Sequence, residues 1–235
     1  MGGVHAAAPG RAALWVPTTA PMVQFAMLET PQRRSSDTRE RILETAEAAV
    51  LAKGFAATSI DELIAAVGIT KSGFFYHFKD KGELAKAMLL RYLERDKALL
   101  DQMFTRADEL NEDPLHGFLV GLKMFAEMLA NLPEVHPGCL AASFCYQDQL
   151  FNREIRKLNA EGMLAWRTRF RERLERIVKR YPPRQPVDLD AMADMISTLV
   201  EGGLVLGRAL NDITILPRQV LLYRDFVRAV FAPPG

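Results

Sequence analysis

Apolar and polar positions from residue 37 to residue 84 repeat at helical spacing, and four helix-start signals interrupt them. Ile42 and Ala46 lie four residues apart and begin a stripe that one face of a first helix would bury. Asp37 is the expected cap of this helix, because a glutamate follows three residues later in the spacing of a capping box. Gly54 is its expected end, since glycine adopts the left-handed conformation without steric cost.

Three further caps divide the rest of this stretch. Ser59, Thr70 and Asp80 each stand directly before a helical pattern, and a short turn, Val67-Gly68-Ile69-Thr70, separates the second helix from the third. This spacing is typical of a helix-turn-helix, in which a short helix is held so that its N-terminal residues can enter a DNA major groove. The sequence therefore predicts binding to a specific DNA site.

The third helix, with the sequence KSGFFYHF, carries groups that suit DNA. Its first turn offers free backbone N–H groups and the positive end of the helix dipole, and both favour phosphate. Lys71 can reach a phosphate or the acceptor edge of guanine, Ser72 can donate or accept, and Gly73 permits close approach to the bases. Tyr76 and His77 can donate to phosphate oxygens. For any single residue, a solvated helix surface is the alternative interpretation.

Three phenylalanines share this helix, namely Phe74, Phe75 and Phe78. A unit this small needs aromatic side chains to fill its interior, so we expect at least two of the three to be buried. The stretch as a whole is not strongly basic, because acidic residues in the first helix offset most of its lysines and arginines. The prediction of DNA binding therefore depends on pattern and placement rather than on charge.

This stretch closely resembles the N-terminal domain of the TetR family of bacterial transcriptional regulators. The matching residues are GFAATSI, the V-G-I-T-K turn, and SGFFYHF followed by Lys81 and Leu84. The resemblance implies a homodimer whose two recognition helices read a palindromic operator in double-stranded DNA. It also implies these DNA-facing positions: Thr58, Thr70, Lys71, Ser72, Gly73, Tyr76, His77 and Lys81. Phe75 stands where many members have tyrosine, so Tyr76 is expected to provide more of the phosphate contact.

Residues 1–36 are expected to form a disordered N-terminal extension. They are rich in Ala, Pro, Gly and Thr, and their prolines would interrupt any helix. A signal peptide fits poorly, because the start lacks a basic cluster and the apolar run is short and bounded by proline. Met22 or Met27 is an alternative start of translation.

The segment just before the first helix, RRSSDTR, suggests a second kind of DNA contact. Arg33, Arg34 and Arg39 are candidates for a flexible arm that lies along phosphates or enters a minor groove. A solvated tail is the alternative, and the sequence favours neither.

From residue 80 onward the pattern is helical only, without alternating strands or repeats. We expect an all-α protein with a three-helix helix-turn-helix domain at 37–83 and a helical bundle for effector binding and dimerisation at 84–235. Prolines and glycines separate the helices of the bundle, which are expected at about 80–106, 114–132, 139–150, 152–181, 188–211 and 217–231.

Composition narrows the functional class. Nearly half of the 235 residues are hydrophobic, and the formal net charge is only +1, which argues against a general binder of polyanions. The two cysteines are too few for a disulfide framework and suit a reducing compartment. Without a stretch long enough to cross a membrane, we expect a cytoplasmic bacterial protein that associates with the nucleoid through DNA.

Two late helices have stripes that favour self-association. Their apolar positions alternate steps of four and three, as in a coiled-coil seam, and Gly202, Gly203 and Gly207 would let a second helix approach closely. Intramolecular core is the alternative for part of each stripe. The TetR resemblance favours a dimer, because members typically dimerise through a bundle of two late helices from each subunit. The expected dimer residues are Phe170, Leu174, Met192, Ile196, Leu199, Gly203 and Leu206.

The middle of the chain is the expected site of a small-molecule effector, by analogy with the family. Methionine and aromatic side chains adapt to irregular apolar ligands, and a few polar groups can orient them. Ordinary core is the alternative for each residue taken alone. The expected lining consists of Met88, Tyr92, Met124, Phe125, Met128, Cys139, Phe144, Cys145, Tyr146, Gln149 and Trp166. The effector is expected to be small and largely apolar or aromatic.

Other chemistries receive little support. His136, Cys139 and Cys145 lack a fourth ligand at zinc-finger spacing, so no metal site is expected. The chain has neither a glycine-rich phosphate loop nor a nucleophile elbow, so we expect neither a cofactor nor an enzyme. The remaining alternatives are a DNA-binding protein without an effector, a redox sensor that uses one of the cysteines, and an enzyme or carrier built on a helical bundle.

Overall fold

The computed structural model describes the backbone of residues 31–231 and the side chains of residues 37–231. The sequence predictions for residues 1–30, including the alternative starts at Met22 and Met27, lie outside the described residues. So do the side chains of Arg33 and Arg34. The described elements are all helices, which confirms the predicted all-α class.

The helices follow the order of the sequence pattern. Their bounds are α1 Pro31–Lys53, α2 Ile60–Val67, α3 Lys71–His77, α4 Lys81–Leu110, α5 Pro114–Ala130, α6 Leu140–Tyr146, α7 Arg153–Arg180, α8 Leu189–Leu210 and α9 Ile215–Phe231, with a short 3-10 turn at Asp148–Leu150. The element predicted at 139–150 is therefore a short helix followed by that turn.

One predicted helix start is wrong. Helix α1 begins at Pro31, so Asp37 lies inside the helix and does not cap it. Proline suits the first turn of a helix, where its missing N–H group is not needed, and residues 32–36 contain no glycine or proline to stop the helix. Residues 31–36, which were expected to be disordered, belong to this helix.

The other predicted caps are confirmed. Ser59 Oγ accepts a hydrogen bond from Glu62 N at 3.2 Å, and Asp80 Oδ1 accepts one from Glu83 N at 2.8 Å. Thr70 Oγ1 accepts from the N–H group at the third position of α3 at 3.1 Å. Gly68 ends α2 with a φ of 73°, a left-handed conformation that a side chain would strain. These caps hold α2 and α3 in the predicted helix-turn-helix.

Two hydrophobic clusters fill the interior. The N-terminal cluster joins α1–α3 to the first half of α4, to α6 and to the start of α7. The C-terminal cluster joins the second half of α4 to α5, α7, α8 and α9. Cys139 packs against both clusters, so the two meet where α6 begins.

The N-terminal cluster continues beyond the predicted helix-turn-helix domain. Leu84 and Met88 of α4, Phe144 of α6 and Ile155 of α7 are all buried in it. The α6 helix and the start of α7 therefore pack in the same cluster as the helix-turn-helix.

Candidate functional site

The outer surface of α3 presents three of the side chains predicted to contact DNA. Lys71, Ser72 and Tyr76 are exposed, and Tyr76 is 77% exposed. Lys71 Nζ lies 3.4 Å from Asp61 Oδ1 of α2, but both side chains are largely exposed, so this ion pair is weak and can exchange for a phosphate. Ser72 Oγ lies 3.0 Å from Thr70 Oγ1. The geometry leaves all three groups available to a duplex.

The inner surface of α3 is fixed by aromatic packing. Phe74 and Phe78 are fully buried with their ring centroids 5.8 Å apart, which confirms that at least two phenylalanines are core. Phe75 is 43% exposed and meets Phe74 edge to face. Because two buried rings on one side anchor so short a helix, its outer side keeps a fixed orientation.

Two predicted DNA contacts have structural roles instead. Thr58 is buried, and its hydroxyl donates to the Gly54 carbonyl at 3.0 Å, so it closes the loop between α1 and α2. Lys81 Nζ donates to the Phe55 carbonyl at 2.6 Å and lies 4.3 Å from the centroid of the Phe55 ring. Thr58 is only 1% exposed, so its side chain offers DNA almost no surface, and Lys81 is already engaged with this loop.

Three other predicted positions, on α1 and α3, interact with their surroundings in different ways. His77 is half-buried, and desolvation together with Arg39 lowers its pKa, so the ring is neutral at pH 7. Arg39 is exposed on α1 and lies 5.2 Å over the ring of Phe78. Gly73 is half-buried, and an added Cβ would lie 3.2 Å from Thr70 Oγ1, so glycine here accommodates the cap.

A cavity of about 140 Å³ lies where the two hydrophobic clusters meet. Seven segments of the chain enclose it, from α4 to α9 and including the loop before α6. The lining consists of Tyr92, Leu93, Asp96, Leu99, Phe125, Met128, Leu129, His136, Cys139, Ala141, Gly162, Met163, Trp166, Ser197, Val200, Glu201, Leu204 and Leu216. Gly162 lets α7 approach α4 closely, because an added Cβ would lie 2.5 Å from a methyl group of Leu93.

A few polar groups interrupt this apolar lining. Tyr92 Oη donates to Cys139 Sγ at 3.5 Å, and Trp166 Nε1 donates to Asp96 Oδ2 at 2.5 Å. Burial raises the pKa of Cys139 to about 12, with the nearby Glu201 carboxylate adding to the effect. The thiol is therefore protonated at neutral pH, which argues against Cys139 as a redox sensor.

Two carboxylates and one imidazole complete the polar set. Burial raises the pKa of Asp96 and of Glu201, and it lowers the pKa of His136. Each shift has the direction expected when a charged form is withdrawn from water. The cavity thus contains two acids and a neutral histidine.

The predicted effector residues divide into three groups. Tyr92, Phe125, Met128, Cys139 and Trp166 line the cavity. The other predicted residues lie outside this lining: Met88 and Phe144 are buried in the N-terminal cluster, Met124 packs against the C-terminal cluster, and Cys145, Tyr146 and Gln149 are exposed on or after α6.

Sequence reasoning missed the polar residues of the cavity. Asp96 follows Tyr92 by four residues and precedes Leu99 by three, so an acidic residue stands in an inward-facing stripe of α4. Glu201 occupies a similar position in α8. An acidic residue within an apolar helical stripe is the sequence signal that could have identified both residues.

Comparison with known proteins identifies the N-terminal part of the chain. The family model described as bacterial regulatory proteins, tetR family, matches residues 42–88, which contain α2, α3 and most of the N-terminal cluster. The chain is 32% identical over 63 residues to the HTH-type transcriptional regulator TtgR of Pseudomonas putida and 33% identical over 58 residues to AcrR of Shigella flexneri. Residues 42–88 of this chain are therefore similar to the DNA-binding region of the TetR family.

The two matches cover 27% and 25% of this chain and 30% and 27% of the curated relatives. The chain therefore spans less than a third of each relative's length. The fold, in contrast, is shared over most of the chain. A TetR-family regulator from Chloroflexus aurantiacus has a TM-score of 0.70 at 24% identity, with 85% of this chain and 98% of that chain covered. One from Agrobacterium tumefaciens has a TM-score of 0.69 at 18% identity, with 84% and 100% covered.

The side chains predicted to join two TetR-family protomers lie mostly inside one protomer. The prediction is wrong for Phe170, Leu174, Met192 and Ile196, which are buried in the C-terminal cluster. It is also wrong for Gly203, where an added Cβ would lie 3.1 Å from Leu216 Cα of α9, so this glycine admits a helix of its own chain. Leu199 is half-buried against the same cluster. A stripe of apolar residues with steps of four and three does not distinguish a helix of the same chain from a helix of a second protomer as its partner.

The apolar surface of α8 and α9 lies beside that stripe. Leu206 is 49% exposed, as predicted for an interface residue, and further apolar side chains of the two helices are exposed with it. They are Val205, Ala209 and Leu210 on α8 and Leu221, Leu222, Phe226 and Ala229 on α9. We call these residues the α8–α9 face.

The described residues offer no group of three or more His, Cys, Asp or Glu side chains that would hold a metal ion. Both cysteines are free thiols, and Cys145 Sγ accepts a hydrogen bond from Asn159 Nδ2 at 3.2 Å. Within residues 31–231, none of the helices has the length and hydropathy to span a membrane.

Proposed function

We propose that this chain is a ligand-responsive transcriptional repressor that binds a palindromic DNA operator as a homodimer. DNA binding is supported most directly by α3, whose buried Phe74 and Phe78 fix the helix while Lys71, Ser72 and Tyr76 remain exposed. The curated relatives that share this stretch are named HTH-type transcriptional regulators. The first turn of α3 enters the major groove, and the half-site centres lie about 34–36 Å, or a multiple of that distance, apart.

The homodimer is supported by the α8–α9 face. An exposed apolar surface on two adjacent helices is costly in water, and packing against its own copy around a two-fold axis removes this cost. Leu206 and Leu222 are central to the proposed contact because both are about half exposed in one protomer. The two α3 helices of the dimer then read the two halves of the palindrome.

Release by an effector is supported by the position of the cavity between the two clusters. Arg208 at the end of α8 donates to the Leu51 carbonyl of α1 at 3.0 Å and to the Pro137 carbonyl at 2.8 Å, next to the cavity loop. A ligand shifts the spacing of the two α3 helices only if it binds the DNA-incompetent form more tightly. One solved structure with this fold is named a gamma-butyrolactone receptor, with a TM-score of 0.59.

The test of DNA binding is selection of bound fragments from genomic DNA, followed by affinity measurements on the recovered site. Lys71→Ala/Tyr76→Ala is expected to weaken binding and to lower the slope of log affinity against log salt by about one unit for each lost phosphate contact. Lys123→Ala/Tyr146→Ala is a matched control, because it removes the same residue types from exposed positions far from α3. Unchanged operator affinity in the α3 variant would exclude this helix as the DNA-reading element.

The test of the dimer is sedimentation velocity of Leu206→Glu and Leu222→Glu. Each places a charge against its own copy, so the dimer should dissociate and operator binding should weaken with it. Leu150→Glu is the matched control, since Leu150 is similarly exposed but lies outside the α8–α9 face. A dimer of normal stability in both α8–α9 variants would place the interface elsewhere.

A further inference from the structure

The cavity between the two clusters contains two acidic groups in an otherwise apolar and aromatic lining. Asp96 projects from α4 and Glu201 from α8, and the charges of both act on the Tyr92 hydroxyl. Glu201 also interacts with the thiol of Cys139. Both acids therefore lie around one end of the cavity, close to the Tyr92–Cys139 hydrogen bond.

Neither carboxylate has a cationic partner within salt-bridge distance among the side chains of residues 37–231. Arg169 lowers the pKa of Asp96 through its charge, but its guanidinium is hydrogen-bonded to Asp101. The hydrogen bond from Trp166 compensates the charge of Asp96 only in part. For Glu201, the thiol of Cys139 is the hydrogen-bond partner among the described residues. Two partly buried acids that lack a cation raise the free energy of the empty cavity.

The rest of the lining favours a positively charged ligand over a negatively charged one. No lysine or arginine occurs among the described residues that line the cavity, and His136 is neutral because burial lowers its pKa. The rings of Tyr92, Phe125 and Trp166 present π faces that attract cations and pack against apolar groups. An anionic ligand would meet two like charges and no compensating donor of positive charge.

The cavity also has a wall through which a ligand can enter. Leu93, Asp96, Gly162 and Trp166 line both the cavity and an open groove between α4 and α7. We expect a ligand to enter here by rotation of the Leu93 or Trp166 side chain, since both border the two spaces. Acidic residues such as Glu94 and Glu161 line that groove together with basic residues such as Lys97 and Arg176, so the selection for charge takes place in the cavity and not in the groove.

We propose that this cavity binds a small organic cation, an amine or ammonium group on an aromatic or apolar body, with the charge between Asp96 and Glu201 and the body against Phe125 and Trp166. The inference rests on the proposed function, because it names the chemical class of the effector. The ligand supplies the positive charge that the two acids lack within the described part of the chain.

The test is calorimetric titration of the full chain at pH 7 with three probes that share a phenyl ring and differ in charge. They are benzylammonium, benzyl alcohol and benzoate. Benzylammonium is expected to bind about tenfold or more tightly than benzyl alcohol, since a hydrogen bond to a charged group is stronger than a neutral one. Benzoate is expected to bind least.

Variants locate the charge recognition. Glu201→Gln and Asp96→Asn keep the size of each side chain, and each should lower the affinity for benzylammonium by about tenfold while leaving that for benzyl alcohol unchanged. Glu109→Gln is the matched control, because it removes an exposed acid of α4 that lines neither the cavity nor the groove, and it should have no effect. Circular dichroism melting of each variant confirms that it is folded.

Three results would overturn the inference. They are equal or tighter binding of benzyl alcohol or benzoate, an affinity for benzylammonium that survives both substitutions, and no binding of any probe. Operator affinity is measured in a separate experiment, because α3 and not the cavity is proposed to contact the operator. Operator binding without preference for the cation would refute this inference alone, whereas cation binding without operator binding would refute the proposed function.

Discussion

The N-terminal cluster and the cavity at its border with the C-terminal cluster are built from similar side chains, but they are packed differently. In the N-terminal cluster, Phe74, Phe78 and Leu63 are almost completely buried. At the border, Tyr92 and Trp166 surround an open volume and share it with two carboxylates. The first region holds a surface in one orientation, whereas the second has space for a ligand.

The difference shows how this fold separates recognition from control. A close-packed interior resists deformation, so the exposed side of α3 keeps the geometry that a DNA groove requires. A cavity with uncompensated acids is a region of lower stability, and a ligand that fills it recovers the lost contacts. Arg91 connects the two regions, because its guanidinium lies 2.9 Å from the Glu47 carboxylate of α1 and it stands next to Tyr92.

The largest expected effect is in the close-packed region. Phe78→Ala should lower the free energy of unfolding by about 3–5 kcal/mol, because it removes a fully buried ring that packs on Phe74. Phe75→Ala on the same helix is the control and should cost much less, since Phe75 is half exposed. Chemical denaturation measures both values. Equal losses would contradict the distinction between the two sides of α3.

A matched pair of substitutions compares the two regions directly. Val50→Leu adds a methylene group to the N-terminal cluster, where overpacking should cost about 1–3 kcal/mol in the free energy of unfolding. Val200→Leu adds the same group to the cavity lining, where space is available, and should be neutral or stabilising. A larger loss from Val200→Leu than from Val50→Leu would show that the border is the tighter of the two regions.

The smallest expected effect concerns the acid in α8. Burial raises the pKa of Glu201, so its ionised form destabilises the folded chain above that pKa, and this cost disappears as pH falls below the pKa of the unfolded chain. Glu201→Gln should therefore raise the free energy of unfolding by about 0.5 kcal/mol at pH 7, a modest gain because the side chain keeps contact with solvent. The gain should vanish near pH 4.

Denaturation at several pH values measures this difference, with Glu94→Gln as the control for loss of an acid. A gain that grows as pH falls would contradict the sign of the effect. A loss of stability at pH 7 would mean that ionised Glu201 has a stabilising partner.

The helix-turn-helix was predictable because its signals are local. Ser59, Thr70 and Asp80 act on N–H groups three residues away, and Gly68 acts on its own backbone, so each cap is contained in a few letters of sequence. The start of α1 was missed because a helix continues through capping residues such as Asp37 when nothing interrupts it. Thr58 was assigned to DNA from the family resemblance, and its burial was not predicted because it depends on how the α1–α2 loop folds.

The cavity could be predicted only in part, for a different reason. Met128 and Trp166 were found by residue type, but Met88 and Phe144 have the same chemistry and are core. Which apolar residue lines a space depends on how several helices meet, and Asp96 and Glu201 come together from distant parts of the chain. The predicted dimer residues show the same difficulty. Helical spacing identifies a buried face, but it does not tell whether the same chain or a second protomer covers that face.

The most direct test of the proposed regulation is a pair of titrations on one sample. Operator affinity is measured with and without saturating benzylammonium, and benzylammonium affinity is measured with and without operator. If filling the cavity opposes DNA binding, each ligand should weaken the other by the same factor, about 5- to 150-fold, as linkage requires. Occupancy of the cavity with unchanged operator affinity would contradict the coupling of the two regions.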